Sequence, residues 1–198
     1  SKTSRAALEL PALPKALLNG VREPRLSVFL ITKNEERFIG QCLESVRDIA
    51  SQIVVMDTGS NDWTKSIAER FGAEVHAFDW CDDFSAARNA ALDKVTGDWV
   101  LMLDADEELL PDQKDRLRQL MNDAAAIAWR LPMIDKGREE EGVSHVPRLF
   151  RNAPGLFYVG RIHEQIFSSV EVRRQEWGLE NKFGDATLLH HGYTKEMV

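Results

Sequence analysis

Apolar positions fall along the chain in two alternating patterns. Leu26-Ser27-Val28-Phe29-Leu30-Ile31-Thr32 is a nearly continuous apolar run that ends in polar residues, the pattern of a strand buried on both faces. From Phe38 to Ile49 the apolar residues Phe38, Ile39, Cys42, Leu43, Val46 and Ile49 recur at helical spacing. The alternation repeats: a strand at Ile53-Val54-Val55-Met56, a helix from about Trp63 to Phe71 and a strand at Glu74 to Phe78. A helix over Phe84 to Val95 and a strand at Trp99-Val100-Leu101-Met102-Leu103 complete it. Strands alternating with helices imply right-handed crossovers and a mostly parallel sheet with helices on both faces, a Rossmann-like α/β fold. Beyond Pro111 a helix carries Leu117, Leu120 and Met121. The pattern then loosens into strand-like segments at Ala126 to Met133 and Val146 to Phe150, separated by a charged loop from Asp135 to Gly142. A short helix near Ile162 and a strand near Ala186 to His190 are expected. Residues 1–25, with Pro11, Pro14 and Pro24, read as an extension or linker.

The 198 residues suffice for one sizeable domain, and 43% hydrophobic with 29% charged residues is the composition of a folded protein, not a disordered one. A formal charge of −7 argues against nucleic acid as a partner and requires any phosphorylated substrate to be met by a local cation. The two cysteines, Cys42 and Cys81, lack a CxxC spacing and are expected to be thiols in a reducing compartment. No run approaches the about 20 apolar residues that span a bilayer. A soluble, cytoplasmic protein is the expectation, associated at most peripherally with the inner membrane face through regions not present here. The abrupt finish after His191 suggests truncation.

The polar residues are more informative than the strands. In an open parallel sheet ligands bind outside the carboxyl ends of the strands, where the strand order reverses. The first strand ends in Thr32-Lys33-Asn34-Glu35, the second in Asp57-Thr58-Gly59-Ser60 and the fourth in Asp104-Ala105-Asp106, so all three polar tips emerge on one rim. Asp104 and Asp106, at spacing i, i+2 in an extended segment, point the same way and can face one hard cation. Mg²⁺ and Mn²⁺ suit such a site, because they take oxygen ligands and need only one or two carboxylates beside phosphate and water. The alternative is that one of the two merely caps the turn. Gly59 permits a tight turn and Ser60 or Asp62 can cap the following helix, whereas Asp57 at the strand tip can accept from a base N–H or a ribose hydroxyl. Arg88, in the alanine-rich helix Ser85-Ala86-Ala87-Arg88-Asn89-Ala90-Ala91, is a planar, permanently charged donor suited to phosphate, or else a surface ion-pair partner.

With these segments in this order, the chain resembles the family 2 glycosyltransferases of the GT-A fold. The resemblance is strong from about residue 26 to 122 and weaker through His191. It implies a nucleotide-sugar-binding half over residues 26–122 and an acceptor-side half over residues 123–198. It also implies inverting, metal-dependent transfer of a hexosyl group from a nucleotide diphosphate sugar, a UDP-sugar, to the hydroxyl of a glycan, lipid-linked or protein acceptor, as in cell-envelope glycan synthesis. Thr32 and Glu35 would touch the nucleoside, Asp57 the base or ribose, and Arg88 the nucleotide. Asp104 would hold the ribose or assist the metal, and Asp106 would ligate it. Many members carry an aromatic residue where this chain has Lys33.

An inverting transferase needs a carboxylate to take the acceptor proton. In Gly160-Arg161-Ile162-His163-Glu164-Gln165 the candidates are Glu164, then His163, unless Glu164 is simply paired with Arg161. In His190-His191-Gly192-Tyr193 the resemblance implies a histidine ligand for the metal, and His191 is the candidate, although a structural role competes. Two further functions remain open: a nucleotide-binding scaffold without turnover, and a sugar nucleotidyltransferase. The latter would need a glycine-rich, basic loop after the first strand, which Thr32-Lys33-Asn34-Glu35 does not offer.

Overall fold

A computed structural model describes residues 22–161 and 165–192. The elements are β1 (Leu26–Thr32), α1 (Ile39–Val46), β2 (Gln52–Asp57), α2 (Thr64–Arg70), β3 (Glu74–Ala77), α3 (Phe84–Leu92) and β4 (Trp99–Met102). They continue as β5 (Glu107–Leu109), α4 (Lys114–Met121), β6 (Ala126–Asp135), β7 (Ser144–Arg151), α5 (Phe167–Trp177), β8 (Glu180–Phe183) and β9 (Leu188–His190). Among the described residues the strands form one sheet in the order β3-β2-β1-β4-β7-β6-β9-β5, with β8 also paired to β6.

The first four strands are parallel, as their continuous apolar runs require. β1 pairs with β2 on one side and β4 on the other. The chain therefore steps outward from β1 to β3 and then returns to the opposite edge of β1, so the strand order reverses between β1 and β4. Alternate residues of each strand feed two cores. Leu26, Val28 and Leu30 pack with α1, α2 and α4 on one face, through residues such as Leu43, Ala68 and Leu117. Phe29, Val54, Val100 and Met102 pack with α3 and α5 on the other, through Leu92 and Val170. The mostly parallel sheet with helices on both faces is thus the architecture that the hydropathy pattern implies.

The base of the crossover into β4 is closely packed. A Cβ on Gly97 would stand 2.7 Å from the Ser27 amide nitrogen, and Asn152 caps the turn through the Val95 and Gly97 carbonyls. Arg22 binds Asp98 through two hydrogen bonds of 2.8 Å. Of the N-terminal extension expected over residues 1–25, residues 1–21 lie outside the described residues. Both cysteines are free, Cys42 buried and Cys81 exposed. Among the described residues no helix is long and apolar enough to cross a membrane.

The second half differs in detail from the hydropathy reading. β5 and β8 were not expected; each is three or four residues long and rich in charge, so neither carries an apolar signature. The short helix expected near Ile162, itself outside the described residues, has as its counterpart the eleven-residue α5, ended by Gly178 in the left-handed conformation. Its only buried residues are Ser169 and Val170, so no apolar stripe announces it. β6 and β7 each extend beyond the expected strands, to Asp135 and from Ser144.

Candidate functional site

The loops after β1 and β2 are fastened together side chain to backbone. Asn34, at φ 52°, receives the Asn61 amide on its Oδ1 at 2.8 Å and donates its own amide to Ser60 Oγ at 2.9 Å. The Glu35 amide donates to Thr64 Oγ1 at 2.8 Å, and Asp62 accepts from the Thr64 amide at the start of α2. Asp57 lies beneath this lacework and is buried. It accepts from Thr32 Oγ1 at 3.0 Å, the Ser60 amide at 2.9 Å, the Gly59 amide at 3.1 Å and the Ser60 hydroxyl. Burial pushes its carboxyl upward, but these donors outweigh it and hold the group below the ordinary range, so it is anionic at neutral pH.

Above Thr32 opens a cleft of about 370 Å³ lined by Ile31, Thr32, Lys33, Glu35, Thr58, Trp80 and Phe84. It brings together Thr32 and Glu35 as the sequence suggests. Asp57 is not among its lining residues and meets the cleft through Thr32, whose hydroxyl donates to it.

α3 delivers Arg88 to Asp104, just beyond the end of β4. Asp83 caps the helix, accepting from the Ala86 amide at 3.0 Å, and Asn89 clamps Tyr158 through bonds of 3.0 and 2.8 Å to its backbone. The Arg88 guanidinium is buried, lies 5.7 Å from the Tyr158 ring centre and reaches within 3.8 Å of Asp104 Oδ1. Arg148 of β7 flanks the same carboxylate from the other side at 3.5 Å. The two arginines and Asp104 form a charged ledge, with the Asp104 side chain 45% exposed.

The turn from β4 into β5 is held by Glu107. This residue is 1% exposed, accepts the Asp104 amide at 2.7 Å and pairs with Arg148 Nη2 at 3.1 Å. Burial raises the Glu107 carboxyl, with the arginine charge opposing it. Because both partners are removed from water, breaking the pair should cost more than a surface ion pair would. Arg148→Ala is expected to destabilise the fold by about 3–5 kcal/mol. Urea unfolding would check this, and a loss below about 1 kcal/mol would show that water reaches and solvates Glu107.

Asp106 is 13% exposed and faces His190, whose Nε2 lies 3.2 Å from Asp106 Oδ2. The other ring nitrogen, Nδ1, is 2.8 Å from Asp135 Oδ1 at the end of β6. Burial alone would depress the His190 pKa, but the hydrogen bond to Asp135 and the charges of Asp106 and Glu107 raise it overall. His191, the histidine favoured from sequence, is placed differently. It is buried, stacks on Phe38 with ring centres 6.0 Å apart, and directs Nε2 to within 3.5 Å of Glu108. Adjacent residues at a strand end point to opposite sides, so only one of the two histidines can face Asp106, and that place is taken by His190.

This arrangement fits a divalent cation. A carboxylate and an imidazole nitrogen converge, and the imidazole is oriented by a second carboxylate on its far nitrogen, the usual support of a metal-bound histidine. Among the described residues no group of three or more His, Cys, Asp or Glu side chains forms a ready-made cage. A metal that keeps phosphate and water in its shell does not need one.

Glu164 and His163 lie outside the described residues. The residues on either side of them are anchored: Val159 and Gln165 exchange two backbone hydrogen bonds of 3.0 and 2.9 Å, and the Arg161 carbonyl accepts the Phe84 amide at 3.1 Å. Ser85 Oγ donates to the Gly160 carbonyl. The upstream flank therefore sits at the start of the helix that carries Arg88. Sequence reading did not single out Glu107, Arg148, Asp135, His190 as metal-facing, or Trp80. Only the dipeptide His190-His191 offered a signal.

A polar rim at the point where the strand order of a parallel sheet reverses is where such sheets bind their ligands. The model of glycosyl transferase family 2 matches residues 27–195, and the chain belongs to that family. A TPR repeat-containing protein of Synechococcus elongatus is 34% identical over 182 residues, which is 90% of this chain and 45% of that protein. An uncharacterized glycosyltransferase of Rickettsia conorii is 31% identical over 129 residues, 64% of this chain and 44% of its own length. The chain thus spans less than half the length of these curated relatives. Among solved structures, glucosyl-3-phosphoglycerate synthase from Mycobacterium tuberculosis in complex with Mg²⁺ and UDP superposes with a TM-score of 0.64 at 18% identity, covering 91% of this chain and 76% of that one. Residues 1–349 of S. aureus TarS superpose with a TM-score of 0.63 at 16% identity, covering 84% and 60%.

Proposed function

We propose that the chain transfers a sugar from a UDP-sugar to an acceptor hydroxyl, with inversion and with a divalent metal. The observation that carries this reading is the convergence of Asp106 and His190 beside the ledge of Arg88, Asp104 and Arg148, next to a cleft sized for a nucleoside. The described neighbours support it by analogy, since solved complexes of the Mycobacterium tuberculosis synthase hold UDP with Mg²⁺ or Mn²⁺.

In this reading Thr32 and Glu35 meet the nucleoside, and Asp57 keeps Thr32 in place. Asp104 receives a ribose hydroxyl while Arg88 meets phosphate. Asp106 and His190 hold the metal, which when bound draws charge from the diphosphate and eases its departure. The acceptor oxygen attacks C1 from the face opposite the diphosphate. The new C1–O bond forms as the old C1–O(phosphate) bond breaks, UDP leaves, and Glu164 takes the hydroxyl proton. His163 is the second candidate for that role.

The test is a panel of nucleotide sugars incubated with Mn²⁺ and candidate hydroxyl acceptors, followed by release of nucleotide and by the anomeric configuration of the product. Turnover of a UDP-sugar to a product of inverted configuration is expected. Retention of configuration would remove the inverting mechanism, and release of pyrophosphate would point to nucleotidyl transfer instead.

A further inference from the structure

The cleft over Thr32 contains two aromatic rings whose exposure packing does not explain. Trp80 and Phe84 are each 39% exposed, although both are large apolar side chains. Their rings meet edge to face, with centres 4.8 Å apart and planes at 70°. The indole N–H is already committed, donating to Asp82 Oδ1 at 3.0 Å. That bond orients the ring and occupies its one polar atom, so what it can offer a ligand is apolar π surface. Asp82 takes a left-handed conformation, at φ 56°, to make this contact, an uncommon backbone state for a residue with a side chain. The Phe84 side of the pair is fixed as well, because its amide is bonded to the Arg161 carbonyl and α3 begins there.

The rest of the cleft wall is aliphatic or polar: Ile31, Thr32, Lys33, Glu35 and Thr58. The loop after β1 brings a lysine, not a ring, to this space. Flat aromatic surface among the lining residues therefore comes from Trp80, between β3 and α3, and from Phe84, the first residue of α3. A heteroaromatic base gains its binding energy from such a surface whatever its hydrogen-bonding edge, because every base has a π face.

We propose that Trp80 is the stacking platform for the nucleobase of the donor, with Phe84, packed against it edge to face, holding the indole in place. The assignment rests on the nucleotide-sugar reading above and extends it: affinity for the base comes from Trp80, and Thr32 and Glu35 meet the polar groups of the nucleoside.

The experiment compares calorimetric binding of two probes, UDP and ribose 5-diphosphate, each with Mn²⁺, to the wild type and to W80F, W80L and W80A. The second probe has the same sugar and diphosphate but no base. W80L and W80A should weaken UDP by about 5- to 150-fold, W80F should stay within a few-fold of wild type, and ribose 5-diphosphate should bind all four proteins alike. The pairing of W80F with W80L keeps the ring distinct from mere bulk should W80A fold poorly. UDP binding equally well to W80L and wild type, or equal losses for both probes, would overturn the stacking role while leaving the nucleotide-sugar reading intact. A wild type that binds neither probe would overturn that reading, and the stacking role with it.

Discussion

On the proposed function, Asp106→Asn is expected to lower Mn²⁺-dependent turnover by about 10³-fold or more, because a metal held there would supply several kcal/mol of charge stabilisation to a departing diphosphate. The fold should survive, since Asn preserves the shape of the side chain and the Asp106 carbonyl still accepts the His191 amide. The same geometry separates the two histidines. His190→Ala removes the imidazole that lies 3.2 Å from Asp106 and should weaken Mn²⁺ binding in the presence of UDP by at least about 100-fold. Asp135→Asn, which touches only the far nitrogen of that ring, should cost about 10- to 100-fold. His191→Ala should leave metal affinity nearly unchanged and lower stability, because its ring is packed on Phe38. Electron paramagnetic resonance of Mn²⁺ with each variant checks the order. A larger metal defect in His191→Ala than in His190→Ala would reverse the assignment.

Glu164→Gln is expected to lower turnover by about 10²- to 10⁴-fold while donor affinity stays close to wild type. Glutamine keeps the size and much of the hydrogen bonding of the side chain but cannot take the acceptor proton. Arg161→Ala separates this role from a purely structural ion pair. If the two residues only stabilise each other, both variants lose stability together and turnover follows the folded fraction. Steady-state kinetics beside thermal unfolding distinguishes the cases, and near-normal turnover in Glu164→Gln would transfer the role to His163 or to a carboxylate elsewhere.

The first half was largely legible from the residues because its strands are buried on both faces. Val54 and Val55 are both inaccessible to solvent, so the apolar run is unbroken and its polar end marks the rim. Asp104 and Asp106 could be located on that rim for the same reason. The second half was less legible because its elements hide their periodicity. β5 is Glu-Glu-Leu, with no apolar run to mark it, and which of two adjacent histidines faces Asp106 is settled only by the packed side chains. Arg148 was invisible as a site residue, since its partners Glu107 and Asp104 are 41 and 44 positions away in the chain and meet it only through the β4–β7 pairing. Trp80 falls in the acidic stretch Asp79-Trp80-Cys81-Asp82-Asp83, which has no apolar periodicity to place it. Only the fold shows that this loop leans over the cleft.

The central claim is that this rim binds a nucleoside diphosphate through a metal held by Asp106. Calorimetric titration of UDP into the wild-type chain with Mn²⁺, into the same protein with excess EDTA, and into Asp106→Asn with Mn²⁺ tests it most directly. The expected result is saturable binding at one site in the first case and severe weakening in the other two. Binding of equal strength in all three, or none in the first, would contradict it.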